Sequence, residues 1–192
     1  MNTLSTPTFE QTILTAIVQE ANQIIEEESE GYLGRTAMQK IPYFLKVCGV
    51  PLRYRFDVYH YGTFCQPILS DVEELEIDGV VHDRSKNPER YSVYAPGEEM
   101  EPFLAAHSGE IKQYRAAIQN VVRALFPWEP DRLELISTLH YVSRQLEATG
   151  DRPSRNDVIK RFEEHKEGKF PSDEVRETLN RMASAGLVQM SD

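Results

Sequence analysis

The stretch DVYHYGTFCQPILSDVEELEIDGVV, residues 57–81, contains the change of period that decides the fold. From 53 to 61 apolar and polar side chains alternate, which predicts a strand that ends at Gly62. Pro67 suits the first turn of a helix, and the apolar residues behind it recur at helical spacing as far as Gly79. A second strand is predicted after this glycine. The stretch therefore predicts a strand, a helix and a strand in immediate succession.

Two helices are predicted on the N-terminal side of this stretch. The residues TFEQ at 8–11 form a capping-box pattern, and the apolar residues behind them recur at helical spacing through Glu28. TAMQ at 36–39 repeats the pattern and predicts the start of a second helix, which ends at Gly49. Pro42 lies inside this second helix, where a proline predicts a kink or a later start.

A hairpin is predicted on the C-terminal side of the stretch. Val80 and Val81 begin one strand, residues 90–95 form the other, and the loop sequence DRSKNPE connects them. The resulting order of helix, helix, strand, helix and hairpin is that of a winged helix. We therefore expect a mainly α (α+β) fold, in which a winged-helix-like unit with a small β-sheet occupies residues 1–97.

Residues 98–192 are predicted to form a helical C-terminal part. The pattern is helical over 98–125, with an interruption near Gly109. Three further helices are predicted to start near Leu133, Ser154 and Pro171. Because an apolar tail follows the last of them, this part also fits a second helix-turn-helix-like unit packed on the first.

The charge of the chain limits the partners that it can bind. It has 31 Asp and Glu against 21 Lys and Arg, a net charge of −10, which disfavours sequence-independent binding to phosphates. A neutral or basic protein partner suits this charge better. The first basic residue is Arg35 and no apolar run could span a bilayer, so we expect no signal peptide, no membrane partner and a cytoplasmic location. The sequence leaves the oligomeric state open between a monomer and a dimer.

Metal-binding residue types occur without the spacing of a metal site. The candidates are His60, Cys65, Cys48 and His82. Their spacing matches no zinc signature, and two cysteines make no disulfide framework. His60 also falls on the apolar face of the predicted strand. We therefore expect a core histidine and a buried thiol, with no metal and no cofactor.

Two loose patterns suggest nuclease chemistry. Arg55 and His60 have the spacing of an Arg-x₄-His motif, but on a strand they point to opposite faces. Residues 130–131 and 164–166 spell a PD…ExK pattern, yet both lie in predicted helices, whereas that chemistry needs carboxylates on neighbouring strands. The chain has no nucleophile elbow and no phosphate-binding glycine loop. We therefore assign no catalytic residue and expect no enzyme activity.

Cys65 carries one chemical hypothesis. It falls at the N-cap or first turn of the helix that starts at Gln66, where the helix dipole favours a thiolate. This position predicts a thiol pKa below that of a free cysteine. An inert, partly buried thiol is the interpretation that the usual burial of cysteine favours over this hypothesis.

Nucleic-acid binding is the alternative function. The helix from Gln66 to Asp78 would be the recognition helix of a winged helix, but it holds five acidic residues and no basic one. Basic residues on the predicted wing and in the C-terminal part are better candidates. They are Arg84, Lys86, Arg90, Lys166, Lys169, Arg176 and Arg181.

Several segments carry a family resemblance. Within residues 34–81 they are GRTAMQKIPYFL, FDVYHYGTFC and SDVEELEIDGVV, and LELISTLHYV and KFPSDEVRETLNRMASAGLV extend the similarity over most of 34–188. Together they resemble the YwgA-like family of small bacterial proteins and, more distantly, Panacea-type domains. Pro42, Thr63 and Cys65 stand where the family commonly has an aliphatic residue, a proline and a serine.

The resemblance implies a helical, winged-helix-like fold without an agreed catalytic set. Panacea-type relatives resemble antitoxins or partner-binding regulators, which implies a protein-interaction role. We therefore expect a non-enzymatic regulatory or interaction module, antitoxin-like or a defence accessory, with a DNA-binding transcriptional regulator as the alternative. The expected partner-binding residues are Tyr59, Tyr61, Phe64 and Cys65.

Overall fold

A computed structural model describes residues 7–150 and 152–191. The protein is mainly helical, with 60% helix and 7% strand, and its strands form two small antiparallel sheets. In chain order the described elements are α1 Phe9–Glu28, α2 Arg35–Val47, β1 Asp57–Tyr59, β2 Gly62–Phe64, α3 Gln66–Ile77, β3 Val81–Asp83, β4 Tyr94–Pro96, α4 Met100–Ala106, α5 Ser108–Lys112, α6 Arg115–Leu125, α7 Pro130–Glu147, α8 Arg155–Lys166 and α9 Ser172–Ser184.

The chain forms two compact units. The first unit contains the chain up to Arg55 and from Cys65 to Pro130, and the second contains residues 56–64 and 131–192. These bounds differ from the domains predicted at 1–97 and 98–192, because the β1–β2 hairpin packs with α7 and α8. The predicted division into 1–97 and 98–192 stays a prediction.

The first unit is built around α1. The helix α1 starts where the capping box predicts. Thr8 Oγ1 accepts from the Gln11 amide at 3.1 Å, and Gln11 Oε1 accepts from the Thr8 amide at 2.9 Å. Apolar side chains of α1, such as Ile13 and Ile17, are buried. The predicted hairpin after α3 is confirmed as β3–β4.

The prediction of a second capping box at Thr36 and Gln39 is wrong. Gly34, not Thr36, is the N-cap of α2, and it makes no side-chain cap. Gln39 does not reach back to the start of its helix. Its side chain accepts from the Cys65 amide at 2.9 Å and donates to the Cys65 carbonyl at 3.3 Å. The helix continues through Pro42 to Val47.

The single strand predicted over 53–61 is also wrong. The strand β1 is short, and His60 and Tyr61 form a two-residue loop that leads into β2. Gly62, with φ +84°, begins the second strand instead of ending the first. Because His60 lies in the loop, it is exposed and not part of the core.

The second unit contains the hairpin and three helices, which confirms the predicted starts near Leu133, Ser154 and Pro171. Its core consists of apolar side chains of α7, α8 and α9, together with Phe170 and Val188. The two sheets of the protein are separate, so the winged-helix arrangement stays a prediction. Across the described residues, no helix combines the length and apolar character that crossing a bilayer requires.

Candidate interaction site on the β1–β2 hairpin

The β1–β2 hairpin presents two tyrosines to the solvent. Its antiparallel register pairs Asp57 with Phe64 and Tyr59 with Gly62. The side chain of Tyr59 is 58% exposed and that of Tyr61 is 74% exposed. Tyrosines are enriched at protein–protein interfaces, and two exposed ones lie together here, so the tip of the hairpin is a candidate contact surface.

The buried ammonium group of Lys166 binds the backbone of this tip. The side chain of Lys166, at the end of α8, is only 2% exposed. Its Nζ donates to the carbonyl oxygens of Tyr59 at 3.1 Å and His60 at 2.8 Å, and to Glu134 Oε1 at 2.8 Å. An ammonium has three donors, and each has an acceptor here. Lys166 thus ties the loop of the hairpin to α7 and α8.

The charge of this ammonium is balanced locally. The Glu134 side chain is 3% exposed, and its second oxygen accepts from Lys169 Nζ at 2.7 Å. Lys169 Nζ also lies 3.4 Å from Asp131 Oδ1. Burial opposes the charged form of Lys169, but the hydrogen bonds and charges of Glu134 and Asp131 together outweigh it and raise the pKa of this lysine. Two lysines and two carboxylates therefore form a neutral network, which we call the Lys166 network.

Gly62 brings the hairpin into direct contact with α7. A Cβ atom at this position would lie 3.0 Å from Thr138 Oγ1, 3.1 Å from Glu134 Cγ and 3.3 Å from the Glu134 carbonyl. The φ of +84° also lies in the region that side chains disfavour. Both the space and the backbone conformation thus require glycine here.

Ring contacts hold the two tyrosines in place. The rings of Tyr59 and Phe64 meet edge to face at 5.4 Å between centroids. Lys169 Nζ lies 5.7 Å from the centroid of the Tyr61 ring, within cation–π range. The tip therefore presents aromatic side chains, each with a neighbouring contact, on a backbone that Lys166 holds.

Of the four expected partner-binding residues, two lie at this surface. Tyr59 and Tyr61 are exposed, and Phe64 is half-buried behind Tyr59. Cys65 is buried in the first unit, where its backbone bonds Gln39. The residue is 2% exposed, and a partner-binding role for it stays a prediction.

The thiolate hypothesis for Cys65 is wrong in direction. Cys65 is the N-cap of α3, as expected, but its side chain makes no cap hydrogen bond. Burial raises the pKa of the thiol, and the backbone amides of Arg55 and Ile68 offset this only in part. The thiol lines a cavity of about 420 Å³ with Tyr54 and Asp71.

The seven basic residues of the nucleic-acid alternative differ in their exposure and in their partners. Lys166 is buried with all donors occupied, and Lys169 is engaged by Glu134 and Asp131, so neither offers a free ammonium to a phosphate. Arg176 and Arg181 are exposed on α9, where Arg181 pairs with Glu177. The remaining three are exposed in the loop between β3 and β4, namely Arg84, Lys86 and Arg90.

The residues of the PD…ExK pattern separate in the same way. Asp131 and Lys166 both belong to the Lys166 network, whereas Glu164 pairs with Arg161 at 2.7 Å. In the part of the chain that the structure describes, no group of three or more His, Cys, Asp and Glu side chains could hold a metal ion. Sequence reasoning missed Glu134, because a glutamate between Leu133 and Leu135 has the appearance of an ordinary exposed helix residue.

The chain was compared with protein-family models and with curated proteins. No protein-family model matches the chain, and no curated protein matches it significantly. The similarity to YwgA-like proteins stays a prediction from the quoted segments. The function must therefore be argued from the site itself.

Proposed function

We propose that the protein is a non-enzymatic regulatory or interaction module on a winged-helix-like scaffold, which binds a protein partner through the tip of the β1–β2 hairpin. One observation carries the proposal: Tyr59 and Tyr61 are exposed on a loop whose carbonyl oxygens are held by the buried Lys166 ammonium. The resemblance to YwgA-like and Panacea-type proteins supports an antitoxin-like or defence-accessory role by analogy.

A fixed aromatic tip is suited to binding. Tyrosines bury a large area at a small entropic cost, and they are enriched among the residues that dominate interface energies. Because the Lys166 network already orders the loop, less conformational entropy is lost when a partner binds. The net charge of −10 favours a neutral or basic protein surface as the partner.

Photo-crosslinking at the tip tests this proposal. The tagged full chain carries p-benzoylphenylalanine in place of Tyr61 and is irradiated in lysate of its native host. We expect one discrete protein adduct. The matched control places the same amino acid at Ile77, which is 83% exposed on α3 of the first unit, and should not give this adduct.

Affinity measurements complete the test. We expect the captured protein to bind at least tenfold more weakly when Tyr59 and Tyr61 are both changed to Ala, because tyrosine is enriched among the interface residues whose truncation costs about 2 kcal/mol or more. Ile77→Ala should keep the affinity of the unchanged protein. An adduct of equal yield at Ile77, or an affinity that survives loss of both tyrosines, would contradict the proposal.

A DNA-binding regulator is the second candidate, supported by the exposed Arg176 and Arg181 on α9. The same helix carries Asp173 and Glu174 in its first turn, which oppose a phosphate backbone. This candidate predicts a salt-sensitive gel shift of duplex DNA that is lost when both arginines become Glu. Absence of any shift at low salt would remove it.

A further inference from the structure

The loop between β3 and β4, residues 84–93, forms a local basic surface on an acidic protein. Arg84, Lys86 and Arg90 are exposed there, with Glu89 as the one acidic residue of the loop. Three positive charges against one contrast with the net charge of −10 for the whole chain. A surface of this kind attracts a polyanion even when the net charge of the protein does not.

The loop is held in a defined conformation from within the first unit. At its base, Asp83 Oδ1 accepts the amides of Ser85 and Val93, each at 2.9 Å. From α2, Arg35 Nε donates to Ser92 Oγ at 2.8 Å, and its guanidinium also donates to the Pro88 carbonyl. The exposed cations are thus displayed by an ordered loop. Beside it Arg35 adds a fourth positive charge, and Asp83 at the base adds a second negative one.

Aromatic rings accompany these charges. Tyr91 lies in the loop and is partly exposed, and Tyr32, just before α2, is about half exposed. The Tyr32 ring and the Ser92 carbonyl both flank Gly34, at 3.1 and 3.5 Å from the position of a Cβ there. Tyr32 therefore lies beside the loop. Basic side chains with interleaved rings are the combination that binds unpaired bases and their phosphates.

The neighbouring helix favours a single strand over a duplex. The α3 helix contacts β3, and it carries acidic side chains and no basic one over Gln66–Ile77. Burial raises the pKa of Glu76 on α3, and the negative charge of nearby Asp83 raises it further. A duplex wide enough to reach beyond the loop would meet this acidic helix, whereas one strand can be held by the loop and the two rings alone.

We propose that the β3–β4 loop, with Arg35, Tyr32 and Tyr91, binds single-stranded nucleic acid. Arg84, Lys86 and Arg90 contact phosphates, and the two rings stack on bases. This site lies in the first unit and does not depend on the hairpin tip, so its failure would leave the proposed protein-binding function untouched.

Fluorescence anisotropy with a labelled, mixed-sequence single-stranded oligonucleotide tests the loop. We expect the triple variant Arg84→Glu, Lys86→Glu, Arg90→Glu to bind at least tenfold more weakly than the unchanged chain. The logarithm of the association constant should fall against log salt with a slope of roughly −2, as about three single-strand phosphate contacts require. The matched control makes the same change of charge at Lys112, Arg115 and Lys160, which are exposed and belong to neither candidate surface, and should keep the affinity.

Competitors distinguish base stacking from charge. Changing Tyr32 and Tyr91 to Leu should weaken oligonucleotide binding by about tenfold and leave binding of inorganic polyphosphate unchanged. The proposal is overturned if polyphosphate competes as well as the oligonucleotide at equal phosphate concentration, if duplex binds more tightly than single strand, or if the control variant loses as much affinity as the loop variant.

Discussion

At the scale of single residues, Lys166 is the least replaceable side chain of the candidate site. It is buried, and its three donors go to Glu134, Tyr59 and His60. We expect Lys166→Met to lower the free energy of unfolding by about 3–5 kcal/mol, because Glu134 and two carbonyls lose a buried partner. Urea denaturation measures the change.

Lys160 provides the matched control for this prediction. It lies on the same helix, but it is exposed. Lys160→Met should change the free energy of unfolding by less than about 0.5 kcal/mol. Equal effects at the two lysines would mean that the Lys166 network contributes nothing specific.

His140 makes the stability of the second unit depend on pH. Its side chain is buried in α7, and burial, followed by the charge of Arg144, lowers its pKa to about 4, against a small opposing effect of Glu147. The unfolded chain takes up a proton near pH 6.5, where the folded protein does not. The free energy of unfolding is therefore unaffected by protonation of His140 above pH 6.5, and it decreases as the pH falls from 6.5 towards 4.

The expected size of this effect is roughly 2 kcal/mol between pH 7 and pH 5. Urea denaturation of the unchanged chain and of His140→Gln at both pH values measures it, because the variant cancels the contribution of the other titrating groups. We expect the stability difference between the two proteins to shrink by that amount at pH 5. A difference that stays constant between pH 7 and pH 5 would contradict the assignment.

The exposure of single residues shows how far sequence reasoning reaches. The alternation around Tyr59 and Tyr61 correctly predicts that both face away from the core. The same alternation places His60 in the core, and this is wrong because a two-residue loop ends the period there. Local patterns describe a continuous strand well, but they do not show where the strand reverses.

At the scale of elements, the hairpin depends on Gly62. Ala at this position would adopt a disfavoured φ of +84° and would also place its Cβ 3.0 Å from Thr138 Oγ1. We expect Gly62→Ala to lower the free energy of unfolding by about 1–3 kcal/mol for the backbone, with a further loss from the contact. Thermal unfolding followed by circular dichroism measures the change.

Gly168 separates these two causes. It has a similar φ of +74°, but a Cβ there would meet nothing within 4 Å. Gly168→Ala should therefore show the backbone cost alone and lower the melting temperature less than Gly62→Ala does. If the two variants lose the same stability, the hairpin does not pack against α7 as closely as the structure indicates.

The two capping-box sequences show why elements are only partly predictable. The box at Thr8 and Gln11 forms as its sequence predicts. The identical spacing at Thr36 and Gln39 does not, because the Gln39 amide bonds the Cys65 backbone, which is distant in sequence. The local sequence determines a helix start when the capping side chains have no other partner. A partner that is distant in sequence can replace the cap.

At the scale of the whole molecule, the β1–β2 hairpin belongs to a different unit from the segments that precede and follow it in the sequence. Residues 56–64 lie between two segments of the first unit, yet they belong to the second. The periodicity over 57–81 correctly predicts the helix α3 and the strand after it, but it misses the β1–β2 hairpin. It also contains no sign that Glu134 and Lys166 are the partners of this hairpin. A cut at residue 97 would therefore separate the hairpin from the helices that hold it.

Fragments test this division. We expect residues 98–192 to lack a cooperative thermal transition, because Lys166 and Glu134 would be buried without the carbonyls of Tyr59 and His60, and α4–α6 would lack α1. A fusion of residues 56–64 through a flexible Gly/Ser linker to 131–192 restores the hairpin and should unfold cooperatively. Lys166→Met in this fusion should abolish the transition and Lys160→Met should not. Cooperative unfolding of 98–192 at the melting temperature of the fusion would show that the hairpin is dispensable, and would favour the predicted boundary at 97.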